Sequence, residues 1–208
     1  MKKYKVYFFD FDGTLVDSHD SLVEVFEGAY GSVGVKVPEG YVLRLMRIPL
    51  YQGYHELNGP TDEESIKIFS DNIISLLNEE RVLKLTKSYV DTIPNLMRLK
   101  SEGALLGIVT SNNRKHVNDV LGFLNIDPNL FEIIVGNEET KKHKPNPDPI
   151  YKAMELLNIT NKDDVCYVGD ALDDKKTAIN AGVTPILVDR DRIYAKEDGI
   201  VIHDLNEL

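Results

Sequence analysis

The chain has 208 residues, 42% hydrophobic and 28% charged, enough apolar material for one large domain or a core with a smaller lobe. Its 34 acidic against 24 basic residues leave a formal net charge of -10, which argues against a nucleic-acid partner. A single cysteine, Cys166, excludes an internal disulfide framework and suits a reducing compartment; inside the apolar stretch VCYVG it reads as a small buried hydrophobe.

The opening MKKYKVYFF carries positive charge, but its apolar part is short and runs into Asp10 and Asp12, so it is not read as a signal peptide. No apolar run approaches the roughly 18 residues of a membrane span. A cytoplasmic protein with no membrane partner is expected. Tyr4 to Phe9 is aromatic and β-branched on both faces, the pattern of a parallel strand covered on both sides. Helical spacing then takes over. Asp17 or Ser18 caps a helix carrying Leu22, Val25, Phe26 and Ala29. Leu45 and Met46 belong to a short helix that ends before Pro49. Thr61 and Glu64 form a T-x-x-E capping box before Ile66, Phe69, Ile73, Leu76 and Leu77. Residues 17–86 thus read as an all-helical cap inserted into a core of residues 1–16 and 87–208.

From Asp91 onward helices and strands alternate. A helix from about Ile93 to Ser101 stops at Gly103, and the strand ALLGIV follows. After TSNN comes a helix from about Arg114 to Leu124, then the strand FEIIV. A helix begins near Pro149, the strand DVCYV runs into GDALDD, and a helix ends at Ala181-Gly182. TPILV and a short GIVI close the chain. The fold class is therefore α/β, a Rossmann-like parallel sheet with the helical cap inserted.

Several apolar strands end in polar residues: Asp10 and Asp12 after YFF, Thr110, Ser111 and Asn112 after GIV, Gly169 and Asp170 after CYV. In an open parallel sheet these strand ends share one edge, where ligands bind. Carboxylates gathered there repel, and at least one would take up a proton. Mg²⁺ relieves that conflict and attracts a phosphate ester to an acidic protein. Asp10 then serves as nucleophile. Asp12 serves as acid and base. Gly13 eases the close turn, Thr110 offers a hydroxyl, and Lys144 in HKPNPDP offers an ammonium on a proline-stiffened loop. Each piece alone has a plainer reading: a solvated turn, a helix cap, a surface lysine, an acidic loop. Their ordered conjunction at strand ends is what favours chemistry.

In DFDGTLVDS, GIVTSN, KPNPDP and VGDALDDKKTAINAG the chain resembles the haloacid dehalogenase-like hydrolases, specifically the phosphatase branch and its phosphoglycolate phosphatase-like group with a helical cap. The resemblance spans essentially the whole chain. It implies Asp10 as nucleophile, Asp12 as general acid/base, and Thr110 and Lys144 as phosphoryl-binding groups, with Ser111 and Asn112 beside them. It also implies Mg²⁺ between Asp10, the Asp12 backbone carbonyl and Asp170. Asp174 matches the second acidic metal-site position better than Asp173. Asp12 speaks against carbon–halogen chemistry. Gly169 before Asp170, and Leu22 ten residues after Asp12, speak against the sugar-phosphate mutases of the family. His19 reads as a first-turn helix residue. A sugar-phosphate mutase or a pyrophosphatase of the same superfamily and a catalytically silent phosphate-binding relative remain alternatives, whereas a phosphorelay receiver domain would be shorter and lack the insert.

Substrate choice is expected in the cap. Arg44, Arg47, Tyr51, Tyr54 and His55 form a polar, aromatic-rich stretch, and Arg47 is a candidate contact for a second anionic group of the substrate. The expected partner is a small phosphorylated metabolite, phosphoglycolate first, with the protein a monomer or homodimer.

Overall fold

The computed structural model describes residues 2–208. It divides into two compact units, one built from the chain up to Val16 together with Ser88–Leu208, the other from Asp17–Lys87. The first unit opens with β1 (Val6–Phe9). The chain leaves it through β2 (Val16–Asp17) and re-enters through β3 (Lys87–Ser88). Between them, in the second unit, run α1 (His19–Gly31), α2 (Val42–Leu45), α3 (Leu50–Glu56), α4 (Glu63–Leu77) and α5 (Glu80–Leu83). The first unit continues as α6 (Thr92–Ser101), β4 (Leu105–Val109), α7 (Arg114–Phe123), β5 (Ile133–Val135), α8 (Asp148–Leu156), β6 (Val165–Gly169), α9 (Leu172–Ala181), β7 (Thr184–Val188) and β8 (Ile200–Ile202).

Among the described residues these strands form a six-stranded sheet in the order β5-β4-β1-β6-β7-β8, every pairing parallel. The expected α/β fold is what forms. All four residues of β1 are buried. Val6 and Phe8 join one core cluster with Ile150, Met154 and Tyr167. Tyr7 and Phe9 stack with ring centroids 6.3 Å apart. Apolar side chains on both faces make β1 a central strand, because only there are both faces covered. Phe9 is in register with Ile108 of β4 and Val168 of β6, so the three strands end side by side.

The second unit has its own core of Phe26, Ala29, Tyr30, Leu45, Tyr54 and Phe69. Phe69 meets the Tyr30 ring at 4.8 Å and the Tyr54 ring at 4.6 Å. The capping box expected at Thr61 and Glu64 is corrected: Asp62 caps α4, its Oδ1 accepting from Ser65 N at 2.8 Å. A carboxylate is a good N-cap and complements the helix dipole. Ile66, expected on the buried face, is 45% exposed. The short helices α3 and α5 carry too few residues to show a period and were not legible in the sequence. Tyr54 is buried there with its hydroxyl donating to Pro60 O at 2.8 Å, and Arg44 grips Glu56 through Nε and Nη2. Tyr54 is therefore a buried member of the unit's core, whereas Arg44 is ion-paired with its side chain half exposed and Tyr51 is 71% exposed. Arg47 belongs to the same unit, its Nη1 3.5 Å from Leu43 O.

Candidate active site

The site is built wholly from the first unit, at the carboxyl ends of β4, β1 and β6. Asp10 follows β1, its N–H donating to Val168 O at 2.8 Å. The chain then doubles back: Leu15 N and Val16 N both donate to Phe11 O, and Gly13 N donates to Val16 O. Gly13 adopts φ +71°, and a Cβ there would lie 2.5 Å from Asp170 Oδ2. Glycine lets the backbone approach that carboxylate in a left-handed conformation.

The side chain of Asp10 is buried, as is most of Lys144, whose Nζ is 2.9 Å from Asp10 Oδ1 and 2.7 Å from Asp174 Oδ1. The contact with Asp10 lacks hydrogen-bond directionality, so Oδ1 is a buried carboxylate oxygen with no aligned donor. Burial pushes the Asp10 carboxyl up, Asp174 and Asp12 push it the same way, and Lys144 opposes them. Burial would lower the Lys144 ammonium, but Asp10 and Asp174 outweigh it and hold it well above the usual range.

Asp174 begins α9. Its Oδ2 accepts from Ala171 N at 3.0 Å, and the Tyr167 hydroxyl lies 3.2 Å from its Oδ1. A Cβ on Gly169 would come within 2.4 Å of the Asp174 Cβ, so the glycine makes room for the carboxylate. Asp173 instead turns to Lys176 at 2.9 Å, which decides between the two acidic neighbours by direction. Lys175 reaches Glu197 at 2.6 Å, so both lysines of this helix are engaged away from the cluster.

Thr110 is buried, its Oγ1 accepting from Asn112 N at 3.2 Å. Asn112 Nδ2 donates to Asp12 Oδ2, turning the Asp12 carboxylate toward β4. Ser111 is exposed. Asn180 Nδ2 donates to Pro145 O at 2.9 Å, tying the Lys144 loop to α9; the Lys144–Pro145 peptide is cis. His19 opens α1 and pairs with Asp20.

One carboxylate oxygen from each of Asp10, Asp170 and Asp174 can be chosen so that all lie within 4.8 Å of one another. Three hard oxygen donors, one from each carboxylate, suit a divalent cation of the Mg²⁺ class, and the glycine cradle keeps Asp170 close. Asp12 is expected at the metal through its backbone carbonyl, and its carboxylate, which accepts from Asn112 Nδ2, lies outside this cluster. Two members were missed in the sequence. Tyr167 looked like one more apolar strand residue, and Asn180 like an ordinary helix polar residue. A tyrosine in an otherwise small and aliphatic strand end was the only available signal.

Comparison with known proteins agrees with this arrangement. The family model for haloacid dehalogenase-like hydrolases matches residues 7–188. A protein of Caldanaerobacter subterraneus provisionally named pyrophosphatase PpaX is 32% identical over 181 residues, covering 86% of this chain and 79% of its own length. The phosphoglycolate phosphatase of Pasteurella multocida is 29% identical over 191 residues, covering 88% and 84%. The crystal structure of a haloacid dehalogenase-like hydrolase from Bacteroides fragilis, 28% identical, superposes with a TM-score of 0.88 over 99% of both chains. A match from the first sheet strand to the end of β7 takes in every strand-end motif described above, and the chain belongs to the haloacid dehalogenase-like hydrolase family.

Proposed function

We propose that this protein is a Mg²⁺-dependent phosphatase of small phosphomonoesters, with a phosphoglycolate-like compound as the first candidate substrate. The observation that carries the reading is the buried Asp10, paired with Lys144 and facing Asp170 and Asp174 at the sheet edge. Asp10, the Asp12 backbone carbonyl and Asp170 would hold the cation, with Asp174 adding charge and fastening Lys144. Bound there, the cation supplies charge neutralisation for the phosphoryl oxygens.

An oxygen of Asp10 attacks phosphorus, forming an aspartyl-phosphate as the P–O bond to the leaving group breaks. Asp12, aimed by Asn112, gives its proton to the leaving oxygen and then takes one from water. That water attacks phosphorus, the Asp10–phosphorus bond breaks, and inorganic phosphate leaves. Lys144 and the Thr110 hydroxyl bind the phosphoryl oxygens, with Ser111 at the mouth. Arg47, in the second unit, is the candidate contact for a second anionic group of the substrate.

Pyrophosphate is the second reading, supported by relatives named pyrophosphatase PpaX. Phosphate release is measured from phosphoglycolate, pyrophosphate, sugar phosphates and nucleoside monophosphates, with Mg²⁺ or EDTA, for wild type and Asp10→Asn. Mg²⁺-dependent release that vanishes in the variant supports the phosphatase reading, and the ranking names the substrate class. Equal release by both proteins refutes Asp10 as nucleophile. Arg47→Ala is expected to raise KM for the best substrate; an unchanged KM removes Arg47 from the site.

A further inference from the structure

The reaction leaves one buried charged cluster without a task. Arg190, just after β7, donates through Nη1 and Nη2 to Oδ1 and Oδ2 of Asp91 at 3.1 and 3.2 Å, the two-pronged geometry of a strong pair. Its guanidinium carbon lies 3.7 Å from the centroid of the Tyr89 ring. The Asp91 side chain is only 4% exposed and that of Arg190 14%. Asp91 Oδ2 also accepts from Leu205 N at 2.6 Å.

A buried ion pair is weak evidence for stability, since apolar residues of like volume often serve as well. Arg190, however, makes a third contact that no apolar residue can make: Nη2 donates to the carbonyl of Thr14 at 2.8 Å. The hydroxyl of Thr92 donates to the next carbonyl, that of Leu15, also at 2.8 Å. Asp91 and Thr92 are neighbours at the start of α6. One helix start and one arginine therefore hold two successive carbonyls of the turn that follows Asp10 and Asp12. Thr14 is wholly buried, and its hydroxyl lies 3.4 Å from Asp170 Oδ1. Rotating the Thr14 peptide would swing that hydroxyl and the turn together.

We propose that Arg190 is a positioning residue for the site: braced by Asp91 and Tyr89, it holds the Thr14 carbonyl so that the turn bearing Asp10 and Asp12 stays registered against Asp170. The role rests on the phosphatase reading for its kinetic consequence but not for its structural one. Arg190 contacts neither substrate nor reacting atoms.

The test uses Arg190→Lys and Arg190→Ala with para-nitrophenyl phosphate and inorganic pyrophosphate as substrates. Lysine keeps a cation for Asp91 but lacks the planar fork that serves Asp91 and Thr14 together. Arg190→Lys is expected to stay folded, with a near-native melting temperature in EDTA, while kcat falls by about 10- to 100-fold, the scale of a small misplacement of reacting groups. KM should change far less. Guanidinium ion, at concentrations well below denaturing ones, should restore part of kcat to Arg190→Ala and leave wild type unchanged. Mg²⁺ titrated calorimetrically into the metal-free proteins, without substrate, should bind Arg190→Lys more weakly than wild type. Native kcat and native Mg²⁺ affinity in Arg190→Lys overturn the inference. So does a loss of kcat that merely follows the loss of folded protein. If wild type releases no phosphate from either substrate, the phosphatase reading fails instead, and the Mg²⁺ titration alone decides the positioning role.

Discussion

Lys144 Nζ lies 2.7 Å from Asp174 Oδ1, and the other oxygen of that carboxylate is bound to the backbone where its own helix begins. The ammonium is thereby fastened to the sheet edge through a helix start, and Asp10 receives its charge from a fixed direction. Removing one partner of a buried pair leaves the rest uncompensated, so Lys144→Ala should cost about 3–5 kcal/mol of stability along with all phosphate release. Adding Asp174→Asn to Lys144→Ala should restore part of the melting temperature and none of the activity. A double variant no more stable than the single one contradicts this pairing.

Asp10 and Asp12 are expected to separate in their effects. Asp10→Asn removes a buried carboxylate that its neighbours push toward protonation, so phosphate release should vanish while the melting temperature in EDTA holds or rises. Asp12→Asn should slow release by about 10²–10⁴-fold, the usual range for lost acid–base help, with residual turnover detectable. Thermal scans and steady-state kinetics on both variants check the split.

Gly13→Ala tests the cradle. Its φ of +71° disfavours any side chain, and the new Cβ would press on Asp170 Oδ2. The conformational part alone should cost about 1–2 kcal/mol. Calorimetric Mg²⁺ binding should weaken as well, and a variant with native stability and native Mg²⁺ affinity would show that the turn has another way to relax.

Asp91 gives the stability a defined acid dependence. Burial by itself would raise its carboxyl, yet the Leu205 N–H and the Arg190 guanidinium outweigh it and hold the folded value below the ordinary carboxylate range. The unfolded chain thus binds this proton first as pH falls. Its contribution is complete above the unfolded value and is lost as pH drops through the folded one. Wild type should exceed Asp91→Asn in melting temperature at neutral pH, and the gap should narrow below about pH 4. A gap independent of pH down to acid unfolding would mean the pair contributes no linked stability.

Much of the active-site arrangement was legible before any coordinates. The strand ends YFF, GIV and CYV announce a parallel sheet edge, and the residues after them announce where polar groups must gather. Periodicity could do this because a strand apolar on both faces has only one environment that suits it. Helix starts were less legible. The T-x-x-E pattern pointed to Thr61, whereas the cap is Asp62, whose carboxylate reaches Ser65 N.

Sequence alone determined the kind of sheet and the order of the motifs, because each follows from local pattern along the chain, and those motifs carried the resemblance to the family. Tertiary structure decided which acidic neighbour faces the cluster, since Asp173 and Asp174 differ only in direction around α9. It also decided that Tyr167 lies beneath Asp174 and that Arg190 reaches back 176 positions to the Thr14 carbonyl. Such contacts depend on how strands distant in the chain come into register, and no local pattern encodes the direction of a single side chain across that distance.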